Sequence, residues 1–509
     1  MYDQPGSPGC SLGVIRNGKF IYRKSYGEAD LELGVPLSSQ SVFYVGSVSK
    51  QFTAASVVLA AERGSLSLDD DVRKYIPELP DYGHSITLRE MLNQTSGFRD
   101  FFDLLYLSGR DDLELRSSGE ILKLVEQQKG LNNLPGAEWV YSNTNYFLLG
   151  IVLQRATGKT LAQFAEENIF RPLGMTHTRF YDDSSVVVPG RVAAYDAGEK
   201  GKFQVDWSTT YAIVGGGGLM TTVGDLLRWD GNFYSNRLSK GTLLKELETR
   251  GVLNDGKETS YGMGLILGNY RGLPIVEHNG ALFGYRADLL RFPEQRFTVA
   301  TLCNVSNGEP ELRSREVADV FLKSDMRPAS FLSAASEDKL PDPARFAGDY
   351  LDKRTHTVYS FTAERDELLG WGSALRRKSA NQYFDLFGDV IRFERAGGAM
   401  TATLDVNGER YFSGSRMSEL RLDEAALEPY AGGYRSAELA SEMRLSLEKG
   451  ALMLTIRGNP PIALVPVAKD EFVWAHSFSM VFRRNAQEKV SGLKVYEQSA
   501  RGIGFERVN

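Results

Sequence analysis

Two short motifs in this sequence carry side chains that could together perform acyl transfer. A serine precedes a lysine by three residues in Ser47-Val-Ser-Lys50, and a tyrosine precedes an asparagine by two in Tyr141-Ser-Asn143. A serine hydroxyl is a weak nucleophile until a neighbouring base accepts its proton. Residues three apart on a helix share a face, so Lys50 can approach Ser47 Oγ. The motifs therefore predict a serine nucleophile served by a lysine and a tyrosine.

The Ser-x-x-Lys pattern alone has little meaning, because it also begins at Ser336, Ser446 and Ser491. Ser336 lies in a Pro-, Ala- and Ser-rich linker, and Ser446 and Ser491 lie in predicted strands. Only Ser47 stands where a loop leads into a long apolar helix, predicted over Gln51–Arg63. The positive end of a helix dipole favours the negative charge that develops during attack by a serine. The context thus selects Ser47.

The tyrosine motif is also repeated, as Tyr234-Ser-Asn236, which we interpret as a solvated turn at a helix end. Tyr141 instead precedes an apolar helix predicted over Thr144–Thr157 and stopped by Gly158. A third motif, His278-Asn279-Gly280, ends a strand predicted over Leu273–Glu277. A single histidine at a strand end is usually structural. Its position downstream of the other two motifs favours a functional interpretation.

Helix and strand patterns alternate from Ser11 to about Ser324. The helices and strands that they predict must hold the three motifs in place. The dipeptide Asn17-Gly18 predicts a hairpin turn, and Thr222 is a suitable cap for a helix through Trp229. Further strands are predicted over Tyr285–Phe292 and Phe297–Cys303, and a last helix over Leu312–Leu322. A linker over Met326–Pro343 leads into short strands separated by turns. There, Phe346-Ala-Gly-Asp-Tyr350 is echoed by Tyr430-Ala-Gly-Gly-Tyr434, which predicts two similar β-modules.

Composition excludes several classes of function. The 509 residues carry a formal charge of −6 and no long basic run, which argues against a nucleic-acid or anionic-membrane partner. No segment approaches the ~18 apolar residues of a membrane span. The five histidines and two cysteines form no metal-binding pattern, so we expect no metal and no cofactor.

The cysteines and the first residues say little about the cellular compartment. Cys10 and Cys303 both lie in strand-like runs of one predicted sheet, and we interpret them as small core residues; whether they meet is left open. Met1–Ser7 has neither a basic nor an apolar stretch, so we expect no signal peptide here. Localisation therefore stays open between an exported and a cytoplasmic protein.

In their order and spacing, the three motifs resemble those of the serine β-lactamase and penicillin-binding-protein superfamily, most of all its class C-like branch. His278-Asn279-Gly280 stands where class C enzymes have Lys-Thr-Gly, and Asn93–Gly97 and the glycines before Leu219 are similar to further family signatures. The resemblance implies a mixed α/β (α+β) fold with an antiparallel sheet flanked by helices and an all-helical subdomain. Its arrangement with two small antiparallel β-barrels is similar to that of bacterial D-aminopeptidases. We expect a hydrolase domain over 1–328 and barrels over 340–420 and 428–509.

The resemblance also implies roles for the site residues. Ser47 attacks a carbonyl, and Lys50 and Tyr141 share its proton. Asn143 holds Lys50 and the substrate amide. The backbone N–H groups of Ser47 and Ala281 form the oxyanion hole, with Asn279 beside the substrate and Gly280 permitting close approach. His278 orients Tyr141 or the leaving group and makes activity fall between pH 5 and 7.

Two departures from the family pattern leave the substrate open. The family normally has a helix before its first strand, and from the residues before Ser11 we expect none here. The loop that bears an acidic selector in D-aminopeptidases corresponds to 457–462, which has no Asp or Glu. The first prediction is a D-amino-acid amidase or peptidase, followed by a carboxylesterase and a β-lactamase. A penicillin-binding sensor that acylates and stops is the non-enzyme alternative. We expect the binding partner to be a substrate: a small molecule, a short peptide or an ester, with β-lactams among the candidates. The sequence leaves the oligomeric state open.

Overall fold

A computed structural model of the chain describes residues 6–110, 117–198, 201–206, 212–328, 341–364, 366–370, 373–385, 389–406, 409–418, 420–457, 460–474 and 478–508. The α-helices over these residues are α1 (Ser49–Glu62), α2 (Leu88–Leu92), α3 (Phe101–Ser108), α4 (Ser118–Glu126), α5 (Asn143–Thr157), α6 (Leu161–Ala165), α7 (Arg171–Leu173), α8 (Val223–Ser235), α9 (Leu243–Leu247), α10 (Pro310–Phe321) and α11 (Glu424–Leu427). None of them is long and apolar enough to cross a membrane.

The strands fall into two groups along the chain. The first group is β1 (Cys10–Arg16), β2 (Lys19–Tyr26), β3 (Glu28–Asp30), β4 (Val35–Pro36), β5 (Phe43–Tyr44), β6 (Arg179–Phe180), β7 (Tyr195–Ala197), β8 (Phe203–Val205), β9 (Leu219–Thr221), β10 (Ile266–Tyr270), β11 (Leu273–Leu282), β12 (Tyr285–Phe292) and β13 (Phe297–Cys303). The second is β14 (Gly348–Asp352), β15 (Thr357–Glu364), β16 (Glu367–Gly370), β17 (Ser373–Ala374), β18 (Arg376–Ser379), β19 (Gln382–Phe384), β20 (Val390–Ala396), β21 (Ala399–Val406), β22 (Glu409–Arg416), β23 (Gly432–Ser436), β24 (Ser441–Glu448), β25 (Ala451–Ile456), β26 (Ile462–Ala468), β27 (Glu471–Trp474), β28 (Phe478–Arg484), β29 (Val490–Tyr496) and β30 (Arg501–Val508).

A six-stranded antiparallel sheet organises the N-terminal region, in the order β10-β11-β12-β13-β1-β2. Successive side chains of a strand point to opposite faces, and here both faces are apolar. Leu290 packs in one core with Leu322, just beyond α10, whereas its neighbour Leu289 packs in the core that contains α1. The sheet is thus enclosed by helices on both faces, which confirms the predicted class of fold.

Local sequence signals account for many of the element boundaries. Asn17 and Gly18 both have positive φ, 52° and 74°, at the tight turn between β1 and β2. Gly158 ends α5 in the left-handed conformation, and the Thr222 side chain accepts from Asp225 N to cap α8. The predicted hairpin, helix stop and helix cap are confirmed. Tyr234 and Asn236 lie at the C-terminal end of α8, as predicted, but the Tyr234 hydroxyl is buried rather than solvated.

The central sheet answers one open question and overturns one expectation. Cys10 and Cys303 are both buried core residues, as predicted. Cys10 is directly opposite Cys303 in the antiparallel register of β1 and β13, and the two form a disulfide, which the sequence left open. The strand that carries His278 does not end at Glu277 but continues to Leu282. Asn279-Gly280 has the composition of a turn, yet it continues the pairing with β12, where Gly280 lies opposite Ala287.

The second group of strands forms two related units, which supports the predicted echo. Strands β23 to β30 form a closed barrel, and strands β14 to β22 form one antiparallel sheet whose edge strands, β17 and β18, are separated only by Leu375. If β17 and β18 are counted as halves of one bent strand, both units have eight strands in the same order. Tyr350 donates to Phe346 O at 2.8 Å, and Tyr434 donates to Tyr430 O at 2.7 Å. The proposed domain boundaries at 328–340 and 420–428 stay predictions.

Candidate active site

Ser47 lies in a tight turn rather than in the first turn of the helix itself. A 3₁₀ turn over Gly46–Val48 joins β5 to α1, and Gly46 adopts a positive φ of 50° there. The neighbouring Ser49 fixes this turn, because its Oγ donates to Gly46 O and accepts from Leu219 N. The Ser47 side chain is therefore held at the entrance of a helix that is buried from Ser49 to Ala60.

Lys50 is the centre of a hydrogen-bond network. Its Nζ donates to Ser47 Oγ at 3.0 Å, to Asn143 Oδ1 at 2.8 Å and to Gly216 O at 2.7 Å. The side chain is fully buried, and this burial lowers the pKa of Lys50 to about 7, although the nearby Asp100 opposes the shift. Near neutral pH, Lys50 can therefore be a neutral amine aimed at the Ser47 hydroxyl.

Asp100 is a site residue that the sequence analysis missed. Its carboxylate accepts from Phe102 N at 2.8 Å, which caps α3, and from both the backbone N–H and the Nδ2 of Asn143. Because the amide nitrogen of Asn143 is committed to Asp100, its oxygen is left to accept from Lys50. In the sequence, an aspartate before Phe101-Phe102 has only the signal of a helix cap. Its second role depends on the tertiary fold.

Tyr141 presents its ring to the Lys50 side chain. The Nζ of Lys50 is 4.8 Å from the centre of the Tyr141 ring. Burial raises the pKa of the Tyr141 phenol well above its ordinary value, and a hydrogen bond with Ser47 partly offsets the rise. The phenol is thus protonated at neutral pH and can pass a proton on to a leaving group.

His278 makes its hydrogen bonds to Tyr261 and Asn279 rather than to Tyr141, whose ring centre lies 6.3 Å from that of the imidazole. Its predicted role, to orient Tyr141 or the leaving group, stays a prediction. Its Nε2 is 2.9 Å from the hydroxyl of Tyr261, and its Nδ1 is 2.7 Å from Asn279 O. Burial lowers the pKa of His278 to about 3, and the charge of Lys50 adds to the shift. His278 is therefore neutral throughout the pH 5–7 range in which the sequence predicted its titration. Tyr261, which the sequence analysis also missed, carries no local signal of this contact.

Gly280 allows β11 to pass directly beside Ser47. A Cβ at this position would lie 2.0 Å from Val45 O and 2.8 Å from Ser47 N, so only glycine fits. In the same way, a Cβ on Gly46 would lie 2.6 Å from Ala281 N. The backbone amides of Ser47 and Ala281 thus belong to two segments in close contact. This arrangement can supply two donors to one oxyanion.

The segment Asn93–Gly97, which is similar to a family signature, is hydrogen-bonded to the residues that follow Tyr141. Gln94 Oε1 accepts from Ser142 N at 3.0 Å and from Asn145 Nδ2 at 2.6 Å. Ser96 Oγ donates to Asn145 Oδ1 at 2.5 Å. These buried bonds fix the loop between Tyr141 and α5.

Two cavities are lined by Ser47. The first, which we call the roofed cavity, has a volume of about 560 Å³ and is lined by both the N-terminal region and the β14–β22 sheet. Its walls include the aromatic residues Trp139, Tyr261, Tyr359 and Tyr411, together with Asp385 and Asp389. The second has about 520 Å³ and includes Phe101, Phe147 and Arg286. Both cavities therefore give access to the nucleophile.

The remaining predicted features lie elsewhere. Ser446 and Ser491 are on barrel strands β24 and β29, as predicted, whereas Ser336 is outside the described residues. Residues 458–459 of the predicted selector loop are also outside them, and its described residues do not line the roofed cavity. Within the described part of the chain, no group of three or more His, Cys, Asp or Glu side chains is arranged to hold a metal ion. Asn279 Nδ2 donates to Glu311 Oε1 at 2.8 Å, which orients it at the cavity wall.

The fold and the serine–lysine pair together define a serine hydrolase of the β-lactamase type. A sequence profile of the Beta-lactamase family matches residues 1–322, and the chain belongs to this family. The D-aminopeptidase of Brucella anthropi is 25% identical over 520 residues, covering 98% of this chain and 95% of that protein. Penicillin-binding protein 4* of Bacillus subtilis (strain 168) is 28% identical over 376 residues, covering 70% of this chain and 82% of that protein.

Solved structures show the same fold. The octameric penicillin-binding protein homologue from Pyrococcus abyssi has a TM-score of 0.59 at 21% identity, covering 88% of this chain and 94% of that one. The D-amino acid amidase from Ochrobactrum anthropi SV3, complexed with L-phenylalanine amide, has a TM-score of 0.50 at 23% identity, covering 59% of this chain and 87% of that one. The resemblance to the superfamily and to D-aminopeptidases is thereby confirmed.

Proposed function

We propose that this hydrolase forms an acyl-enzyme on Ser47 and preferentially cleaves amides or short peptides of D-amino acids. The observation that supports the nucleophile is the 3.0 Å hydrogen bond between Lys50 Nζ and Ser47 Oγ, made by a lysine whose pKa is lowered to about 7. The substrate class is supported by the relatedness to D-aminopeptidase over almost the whole chain.

The proposed reaction has two halves. Ser47 Oγ bonds to the substrate carbonyl carbon while its proton passes to neutral Lys50. The N–H groups of Ser47 and Ala281 stabilise the resulting oxyanion. When the intermediate collapses, the bond to the leaving amine breaks and the amine takes a proton by way of Tyr141. Water then adds to the acyl-enzyme with neutral Lys50 as base, which releases a carboxylic acid and restores Ser47.

The roofed cavity offers a reason for preferring substrates with a free amino group. Asp385 and Asp389, which lie between β19 and β20, are among its lining residues, and a carboxylate attracts an ammonium group. The Asp385 carboxylate also accepts from Asp389 N at 2.9 Å. An acidic contact can therefore come from the β14–β22 sheet, although the loop at 457–462 has no acidic residue. We expect Asp385→Asn and Asp389→Asn to lower kcat/KM for a D-amino-acid amide more than for its N-acetyl derivative.

A panel of three substrates tests the proposal: D-alanine p-nitroanilide, p-nitrophenyl acetate and nitrocefin. We expect the highest kcat/KM with the first. Faster turnover of the acetate would instead indicate an esterase, and faster turnover of nitrocefin a β-lactamase. One equivalent of product without further turnover would indicate a penicillin-binding sensor.

The nucleophile is tested by Ser47→Ala, which should abolish hydrolysis and the mass increase of the Ser47 peptide after a quench. Ser446→Ala is the matched control, because Ser446 begins another Ser-x-x-Lys pattern on barrel strand β24. Full activity of Ser47→Ala, or acylation of another peptide, would contradict the assignment.

A further inference from the structure

The C-terminal barrel contacts the active site through two consecutive residues, Arg99 and Asp100. Asp100 N donates to Ser499 O in the turn before β30 at 2.8 Å. Arg99 Nε donates to Arg501 O at 3.0 Å, and its Nη2 donates to Gly502 O at 3.3 Å. The segment that carries the Asp100 carboxylate is therefore bonded to the barrel by both backbone and side chain.

The strongest of these contacts is a buried ion pair. Arg99 Nη1 lies 2.6 Å from Glu438 Oε2, and only 5% and 9% of the two side chains are exposed. Glu438 also accepts from Lys129 N at 2.9 Å and from Gly504 N at 3.2 Å. The Glu438 carboxylate thus binds the segment that follows α4, the barrel and the Arg99 side chain.

From Arg99, a short series of contacts leads to the nucleophile. Arg99 O accepts from Thr144 Oγ1 at the start of α5 at 2.7 Å. The next residue, Asp100, holds both nitrogens of Asn143, and Asn143 Oδ1 accepts from Lys50. The ion pair, together with the bonds to Ser499 O, Arg501 O and Gly502 O, joins this series of contacts to the barrel.

We propose that Glu438 is a positioning residue: its ion pair with Arg99 holds the Asp100 carboxylate on Asn143 and thereby keeps Lys50 beside Ser47. The inference rests on the proposed function of Ser47 and Lys50. If Glu438 loses its charge, the Arg99 guanidinium is left buried without a counter-ion, which is costly. Arg99 then moves toward water and takes Asp100 with it.

The test is Glu438→Gln, which keeps the shape of the side chain and removes its charge. We expect kcat to fall roughly 10- to 100-fold with a smaller change in KM, because the catalytic groups are misplaced. Lys50 faces Asp100, Tyr141, Tyr146 and His278, and of these only Asp100 is an anion that favours protonated Lys50. The acid limb of the kcat/KM profile should therefore move to lower pH by roughly 0.5 to 1 unit.

Glu442→Gln is the matched control. Glu442 is on barrel strand β24 and is paired with Arg435, but its side chain is 52% exposed. The Glu442→Gln variant removes the same charge from the same barrel but leaves the Arg99–Glu438 pair intact. Its kcat and the acid limb of its pH profile should therefore equal those of the wild type.

A measurement that does not depend on activity separates this inference from the proposed function. In hydrogen–deuterium exchange of Glu438→Gln, the amides of Asp100 and Asn143 should exchange faster than in the wild type. If the wild type hydrolyses nothing but this exchange still rises, the proposed function fails and the positioning role stands. If the wild type turns over and Glu438→Gln matches it in exchange, kcat and acid limb, the positioning role is overturned.

Arg99→Lys keeps the inference testable if Glu438→Gln does not fold. A lysine keeps the charge opposite Glu438 but cannot also donate to the carbonyls of Arg501 and Gly502. Because the ion pair is kept, we expect the kcat and the acid limb of Arg99→Lys to stay close to those of the wild type. A folded Arg99→Lys that loses kcat and shifts the acid limb to lower pH would overturn the proposal, because the carbonyl bonds and not the ion pair would then position Asp100.

Discussion

His278 and Tyr261 are joined by a hydrogen bond of 2.9 Å between the imidazole Nε2 and the phenol oxygen. The other ring nitrogen, Nδ1, is 2.7 Å from Asn279 O. Because a carbonyl only accepts, Nδ1 carries the proton and Nε2 accepts from the phenol. The ring is therefore held neutral in one tautomer, and it adds no second positive charge beside Lys50.

The first prediction concerns pH. Lys50 has its pKa lowered to about 7, and it must be neutral to accept the Ser47 proton, so kcat/KM should fall as the pH drops through about 7. His278 has its pKa lowered to about 3 and does not contribute to this limb. In His278→Gln, kcat should fall while the limb stays near pH 7 in a pH–rate profile. Disappearance of the limb in this variant would identify His278 as the titrating group instead.

Gly280→Ala should inactivate the enzyme. The new methyl group would lie 2.0 Å from Val45 O and would push β11 away from Ser47. We expect a loss of kcat/KM of about 10²-fold or more, since one donor of the oxyanion hole is displaced. Gly231→Ala is the control, because Gly231 is on α8 with nothing within 4 Å of the added carbon. It should keep activity and raise the unfolding free energy by about 0.5–1 kcal/mol.

Removal of the disulfide should weaken the fold without removing activity. Cys10 and Cys303 are separated by 293 residues in the sequence, so their bond greatly restricts the unfolded chain. The double variant Cys10→Ser/Cys303→Ser should lose about 2–4 kcal/mol of unfolding free energy in urea. A reductant should shift the wild type in the same direction and leave the double variant unchanged. An equal response of both proteins would show that the bond does not form in solution.

Asp103→Asn should stabilise the protein at alkaline pH. Asp103 shares the hydroxyl of Ser499 with Glu497. Burial raises the pKa of the Asp103 carboxyl well above its ordinary value, and the charges of Glu497 and Asp100 add to the rise. A raised pKa means that the folded state binds the proton more tightly, so stability is lost as the pH rises through that pKa.

An asparagine at position 103 avoids this loss. At pH 8 the unfolding free energy of Asp103→Asn should exceed that of the wild type by an amount on the order of 1 kcal/mol. Its Tm at pH 8 should be higher accordingly. The gain should shrink toward pH 4. Glu497→Gln removes the other carboxylate and should act in the same direction. A lower Tm for both variants at pH 8 would contradict the argument.

Local patterns account for the parts of the site that lie close together in the chain. Ser47 and Lys50 are one helical turn apart, and the change from a loop to an apolar helix distinguishes them from the pattern at Ser446. The stop at Gly158 and the turn at Asn17-Gly18 depend on backbone conformations that few other residues adopt. Such features could be predicted because their causes are contained in a few neighbouring residues.

The remaining features depend on contacts between distant segments. Asp100 has the local signal of a helix cap, and its hold on Asn143 depends on the packing of α3 against α5. The bond between Cys10 and Cys303 follows from the register of β1 and β13, which no single strand contains. The roofed cavity needs Tyr359 and Tyr411 from a sheet that begins more than 200 residues after Tyr141. Composition and spacing do not encode these distances.

The pairing of Cys10 with Cys303 also makes the N-terminal region a covalent ring. One break in the backbone between these positions opens the ring into a line but releases no piece, because the sulfur atoms still hold both ends together. Val187, whose side chain is 83% exposed between α7 and β7, lies within this ring. A protease that cuts the chain there would leave a nicked molecule of undiminished mass, with Ser47 and His278 on different fragments of one connected protein.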